Sequence, residues 1–70
     1  MVTQIISVPE IHCDHCKTSL EGALTRIGGV EQATVDIPAR TITVAYDEAS
    51  VHRDRLVEAI EQQGYEVSAS

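Results

Sequence analysis

The chain has 70 residues, so we expect one domain with a small core and no room for a deep substrate cavity. Two Tyr are the only aromatic residues, and eleven acidic residues against five basic ones give a formal net charge of −6. Because nucleic acids bind through clustered Lys and Arg and through stacked aromatic rings, this composition argues against nucleic-acid binding. No apolar run reaches the roughly 20 residues of a membrane span, and no signal peptide is visible. We therefore expect a cytoplasmic protein with reduced thiols and no direct membrane insertion.

The first half of the chain predicts a strand, a loop and a helix. Residues 2–8 are rich in β-branched side chains, and Pro9 ends this strand because proline cannot donate to a ladder. Over residues 14–27 the apolar spacing changes to four, four and three, which is typical of one helix face. That face is formed by Cys16, Leu20, Leu24 and Ile27. Gly28 and Gly29 are expected to end the helix, since glycine easily adopts the left-handed conformation of many helix ends.

The second half predicts a hairpin, a second helix and a last strand. Residues 30–37 and 41–46 each alternate apolar with polar side chains, and residues 38–40 between them are expected to turn. Apolar residues over 51–63 return to helical spacing. Residues 65–68 are predicted to form a short final strand.

This order of elements predicts an α+β fold, the ferredoxin-like βαββαβ sandwich. In that arrangement a four-stranded antiparallel sheet carries both helices on one face, so only one face of the sheet needs apolar side chains. We expect residues 1–70 to form one such domain. A looser α+β meander is the alternative.

Two cysteines three positions apart, Cys13 and Cys16, carry the functional prediction. The first lies in the loop and the second begins the helix, so both thiols can converge on one metal ion. Unpaired N–H groups and partial positive charge at a helix start favour thiolate, and Lys17 is expected to add to this effect. Two thiolates suit soft Cu(I), whereas Zn(II) usually takes four ligands in a closed site.

An open pair of thiolates also suits transfer of the ion. A partner's thiolate can bind as a third ligand before the two cysteines release the ion, and this exchange needs no redox step. A site with four sulfurs would require a second chain, which makes a metal-bridged homodimer an option. The alternatives are Zn(II), Cd(II) or Hg(II) at the same cysteines, a dithiol oxidoreductase, or cysteines without a ligand. We expect no enzyme and propose no catalytic residues.

Two histidines flank the thiols and are candidates for an extra ligand. His15 lies between the cysteines and is expected to point to solvent, and His12 precedes Cys13 and is also expected to be a surface residue. An imidazole ligand would favour Zn(II) or a three-coordinate site.

The chain resembles the heavy-metal-associated domain family, which includes bacterial copper chaperones and the N-terminal domains of copper-pumping P-type ATPases. The resemblance extends from Ile6 to Val67. The matching residues are Val8, Cys13-Asp14-His15-Cys16, Leu20, Ala23-Leu24, Gly29-Val30, Val35-Asp36, Val44, Tyr46-Asp47, Leu56, Ala59-Ile60 and Gly64-Tyr65. It implies the ferredoxin-like fold and delivery of Cu(I) to a copper-transporting P-type ATPase or a similar metal-binding domain. A metal-binding domain cut from a transporter would show the same resemblance.

The loop departs from the family pattern at two positions. The family usually has Gly-Met before the first cysteine, with the methionine packed under the loop, and this chain has Glu10 and Ile11. Ile11 is expected to fill the same apolar space, with a stiffer side chain. The resemblance further implies that Tyr65 lies near the metal loop and shields one side of it.

Overall fold

Five elements form within residues 1–67, which are the residues that the computed structural model describes. They are β1 (Val2–Ser7), α1 (Asp14–Thr25), β2 (Val30–Asp36), β3 (Thr41–Tyr46) and α2 (Arg53–Gln62). The predicted turn between β2 and β3 is present. Neither helix in this part of the chain has the length and apolar character that crossing a bilayer requires.

The sheet has β3 at its centre, paired antiparallel with β1 on one side and with β2 on the other. Its register aligns Ile6 with Ile42 and Ile42 with Val35, and all three side chains are buried. Successive strand residues point to opposite faces, so Ile5 faces away from the core and is 65% exposed. Only one face of the sheet is therefore apolar and needs covering.

Both helices cover that apolar face. Their buried residues recur at helical spacing and join one hydrophobic core with the inward residues of the strands. The helix contributions are Cys16, Leu20 and Leu24 from α1 and Leu56, Ala59 and Ile60 from α2. The α+β class, the antiparallel sheet and the two helices on one face are thus confirmed.

The end of α1 differs from the prediction. The helix stops at Thr25, and Ile27 lies in the turn that follows. The backbone N–H of Ile27 donates to Leu24 O, three residues back, at 3.1 Å. This tighter spacing closes the last turn in 3₁₀ fashion instead of extending the α-helix. The second helix is also shorter than predicted. It begins at Arg53, so the buried residue Val51 lies before the helix and not in it.

The predicted fourth strand is absent from the described residues, so the sheet there has three strands and not four. The N–H groups of residues 65 and 66 are used elsewhere. Tyr65 donates to Ile60 O at 3.4 Å, and Glu66 donates to Glu10 Oε1 at 2.6 Å. These amides are therefore not used in a ladder with β1. Ser68, the last residue of the predicted strand, lies outside the described residues.

Two side chains of α1 also form hydrogen bonds to the outer edge of β2. Val35 donates its N–H to Glu21 Oε2 at 2.8 Å, and its carbonyl accepts from Lys17 Nζ at 3.4 Å. Lys17 and Glu21, one turn apart, form an ion pair at 3.4 Å. One pair of oppositely charged side chains thus satisfies both backbone groups of a strand residue.

We predict that Gly29→Ala destabilises the fold by about 1–3 kcal/mol. Gly29 has φ +100°, and a Cβ there would lie 2.5 Å from Val51 Cγ2 and 2.9 Å from Ser50 Cβ. Urea unfolding followed by circular dichroism measures the change. Gly28→Ala is the control, because an added Cβ there meets nothing within 4 Å. Equal stability of the two variants would contradict the assigned turn geometry.

Candidate metal centre

The loop that carries Cys13 is held by a buried side chain and by backbone hydrogen bonds. Ile11 is fully buried in the core, beneath the loop. Its N–H donates to Val8 O at 3.1 Å, and the N–H of Val8 donates to Arg40 O at 2.9 Å. An apolar side chain and two backbone hydrogen bonds therefore fix the path of the chain immediately before the thiols.

The two thiols lie side by side where the loop becomes a helix. Cys13 is the N-cap residue of α1, with extended backbone angles of φ −154° and ψ 166°, and its carbonyl accepts from the Lys17 N–H at 3.3 Å. Cys16 lies in the first turn on the inward face of α1. The two sulfurs are 3.3 Å apart, and neither cysteine is in a disulfide. The spacing lets both sulfurs contact one ion.

The two cysteines differ in exposure. Cys16 is 3% exposed and belongs to the hydrophobic core, whereas Cys13 is half-buried at its rim. An incoming group therefore reaches the site from the side of Cys13.

The Cys16 thiol is prepared to ionise near neutral pH. Its pKa falls from 9.0 to about 7, first because the Tyr65 hydroxyl donates a hydrogen bond to it. Hydrogen bonds from the Cys13 thiol and the His12 backbone act in the same direction, and burial opposes them. The same contact raises the pKa of Tyr65 to about 12, because loss of the hydroxyl proton would remove the bond to sulfur.

The basic residues near the thiols make different contacts. Lys17, expected to favour the thiolate, directs its ammonium to Val35 O and Glu21 instead of to the sulfurs. These hydrogen-bonding and ionic partners on β2 and α1 draw the long side chain away. His15 is exposed on α1 and does not join the thiols. His12 does: one of its ring nitrogens and the two sulfurs lie within 4.8 Å of one another.

Glu10 links two parts of the site through its carbonyl and its carboxylate. Its carbonyl accepts from His12 Nδ1 at 2.8 Å, and its carboxylate accepts the Glu66 N–H at 2.6 Å. The second bond joins residues 56 positions apart and holds the segment that carries Tyr65 beside the loop. No local sequence pattern predicts so distant a partner, so the sequence does not reveal this role.

A small α+β domain with two free thiols converging at a helix start has the ligands that suit a soft metal ion. The model of the family described as "Heavy-metal-associated domain" matches residues 5–66. The chain belongs to this family, which confirms the resemblance found in the sequence.

Individual relatives cover nearly the whole chain. It is 42% identical over 67 residues to the copper chaperone CopZ of Staphylococcus haemolyticus, covering 96% of this chain and 98% of that protein. Its fold is similar to the solved "CopZ metallochaperone", with a TM-score of 0.94, 37% identity, and coverage of 96% and 100%. It is also similar to the N-terminal domain of a potential copper-translocating P-type ATPase from Bacillus subtilis, solved in the Cu(I)-loaded state. That match has a TM-score of 0.88 and 27% identity, and covers 94% of this chain and 82% of the other.

We predict that Tyr65→Phe raises the pKa of the Cys16 thiol from about 7 toward its ordinary value of 9.0. At pH 7 the thiolate fraction of Cys16 should fall well below one half. The pH dependence of iodoacetamide labelling in the reduced metal-free protein, with each cysteine followed by peptide mass spectrometry, measures this. Tyr46→Phe, which removes the other tyrosine hydroxyl, should leave the pH dependence of Cys16 labelling unchanged. If Tyr65→Phe also labels at Cys16 with the wild-type pH dependence, the hydroxyl–sulfur contact is contradicted.

We predict that Glu10→Ala speeds amide hydrogen exchange at Glu66 by about tenfold or more, because the amide loses its acceptor. It should also weaken the hold on Tyr65 and raise the pKa of Cys16. Glu66→Ala is the matched control, since it removes one nearby carboxylate and keeps the backbone N–H that donates to Glu10. Exchange at residue 66 that is equally slow in both variants would contradict the assigned role of Glu10.

Proposed function

We propose that this chain is a cytoplasmic copper chaperone that carries one Cu(I) between Cys13 and Cys16 as its cargo. The observation that carries the proposal is the pair of sulfurs 3.3 Å apart, one of which has its pKa lowered to about 7. A thiolate available near neutral pH binds a soft ion without a large cost of deprotonation. The relatives named as copper chaperones support copper as the cargo.

The two-cysteine donor set fits Cu(I) better than Zn(II), which usually takes four ligands in a closed site. Two thiolates are soft ligands, and Cu(I) accepts a low coordination number. Residues 1–70 act as a single heavy-metal-associated domain, and the role of its site is binding and release without catalytic residues. Ile11 supports the loop from the core, and Tyr65 covers the Cys16 side.

Release proceeds by exchange of thiolates. A thiolate of the acceptor binds the ion from the exposed side, Cys13 leaves next because it lies at the rim, and the buried Cys16 leaves last. One copper–sulfur bond forms for each one that breaks, and copper keeps its oxidation state. The acceptor is a copper-transporting P-type ATPase or a similar metal-binding domain, and the ATPase domain among the structural relatives supports this class of partner. Two copies of the chain can share an ion in the same way, as a metal-bridged homodimer.

We predict that the reduced protein withdraws one equivalent of Cu(I) from a strong coloured chelator, and that Cys13→Ser does not. Hydroxyl oxygen is a poor ligand for a soft ion, and Cys13 is only half-buried, so its replacement should spare the fold. Cys16→Ser should also abolish tight binding, with some loss of stability because Cys16 lies in the core. Chelator absorbance measures the titration, and circular dichroism checks the fold. Full affinity in either serine variant would overturn the site.

Delivery requires a separate experiment. The Cu(I)-loaded chain is mixed with the metal-free N-terminal domain of a copper-transporting P-type ATPase, and the two are separated by ion exchange. We expect copper to be found on both proteins within the mixing time. A small-molecule chelator of equal affinity, which cannot dock on this chain as the acceptor domain does, should acquire copper from it more slowly. Copper that remains wholly with this chain would refute delivery by ligand exchange and leave the binding result intact.

A further inference from the structure

A third metal donor lies beside the two cysteines. A ring nitrogen of His12 and the sulfurs of Cys13 and Cys16 lie within 4.8 Å of one another. Bonds of about 2.3 Å to sulfur and 2.0–2.1 Å to nitrogen place two donors on a three-coordinate ion about 3.8 Å apart. The ring therefore needs to move by no more than about 1 Å to contact an ion held by the sulfurs.

The hydrogen bond of the ring engages Nδ1 and leaves Nε2 free. His12 Nδ1 lies 2.8 Å from the carbonyl oxygen of Glu10, which can only accept, so Nδ1 carries the proton. In the neutral ring Nε2 then has its lone pair available. Histidines that bind metals usually donate their other N–H to such a carbonyl, which fixes both the tautomer and the ring orientation.

The second histidine of the loop provides the contrast. His15 is exposed, lies in the first turn of α1, and has no place in the cluster. His12 is exposed as well, so the difference between the two is not burial. It is that a ring nitrogen of His12 lies with the two sulfurs, whereas His15, in the first turn of α1, is not part of that cluster.

We propose that His12 Nε2 is the third ligand of the bound ion, which makes the site one nitrogen and two thiolates. This inference rests on the proposed two-cysteine site and adds to it a donor on the exposed side. The imidazole occupies the position that an incoming thiolate must take. It therefore leaves first during transfer, and it disfavours the sharing of an ion between two copies of the chain.

The test is X-ray absorption at the copper edge on the reduced, Cu(I)-loaded full chain, with His12→Ala and His15→Ala as a matched pair. Alanine keeps the backbone N–H of His12. We expect one nitrogen and two sulfur neighbours, with outer-shell imidazole scattering, in the wild type and in His15→Ala. His12→Ala should lose the nitrogen and the imidazole scattering. In chelator competition, its Cu(I) affinity should fall at least about tenfold, with no change for His15→Ala.

A second measurement does not depend on any variant. Nitrogen-15 spectra of the histidine rings, recorded before and after one equivalent of Cu(I), should show a large shift of His12 Nε2 and none at either nitrogen of His15. If X-ray absorption shows only sulfur neighbours in a protein that still takes up copper, the third ligand is overturned and the two-cysteine carrier stands. Failure of the wild type to take up any copper would overturn both.

Discussion

The burial of Cys16 is the constraint on which the rest of the site depends. Its sulfur is both a member of the hydrophobic core and a proposed metal ligand, so the packing that holds α1 on the sheet also sets the position of the ligand. Leu20 and Leu24 continue the same face along the helix, and all three side chains are covered. Since α1 cannot rotate without exposing this face, the direction in which the helix start presents its thiol is fixed before any ion arrives.

Around this buried sulfur the structure places hydrogen-bonding groups from the loop before α1 and from the segment after α2. Tyr65 donates to it from the segment after α2, and Glu10 holds that segment through its carboxylate. The carbonyl of Glu10 at the same time orients His12. One residue thus organises groups on two sides of the thiols, one that stabilises the thiolate and one that offers a nitrogen. Cys13, at the rim of the core, is the more accessible of the two thiols.

Much of the fold follows from local pattern, and the failures have physical causes. Alternation predicted the hairpin, and the four-residue spacing from Cys16 predicted the inward face of α1, because both depend on which side of an element is buried. The last strand was mispredicted because its amides bind Ile60 O and the Glu10 carboxylate, and such contacts leave no periodic signal. Lys17 was expected to favour the thiolate, and its hydrogen bond to Val35 O on β2, 18 positions away, likewise leaves no local signal. The position of the cysteine pair was predictable, but the separate orientations of His12 and His15 depended on where the helix begins.

The fastening of β2 by α1 has a consequence for the behaviour of the protein in concentrated solution. An exposed strand edge offers free N–H and C=O groups on which another chain can build, and such edges promote aggregation. At Val35 both groups are already bonded to Lys17 and Glu21, so an approaching strand would have to displace an ion pair before it could bond there. The helix that carries Cys16 in its first turn thus also occupies, through Lys17 and Glu21, part of the sheet edge on which another chain would have to pair.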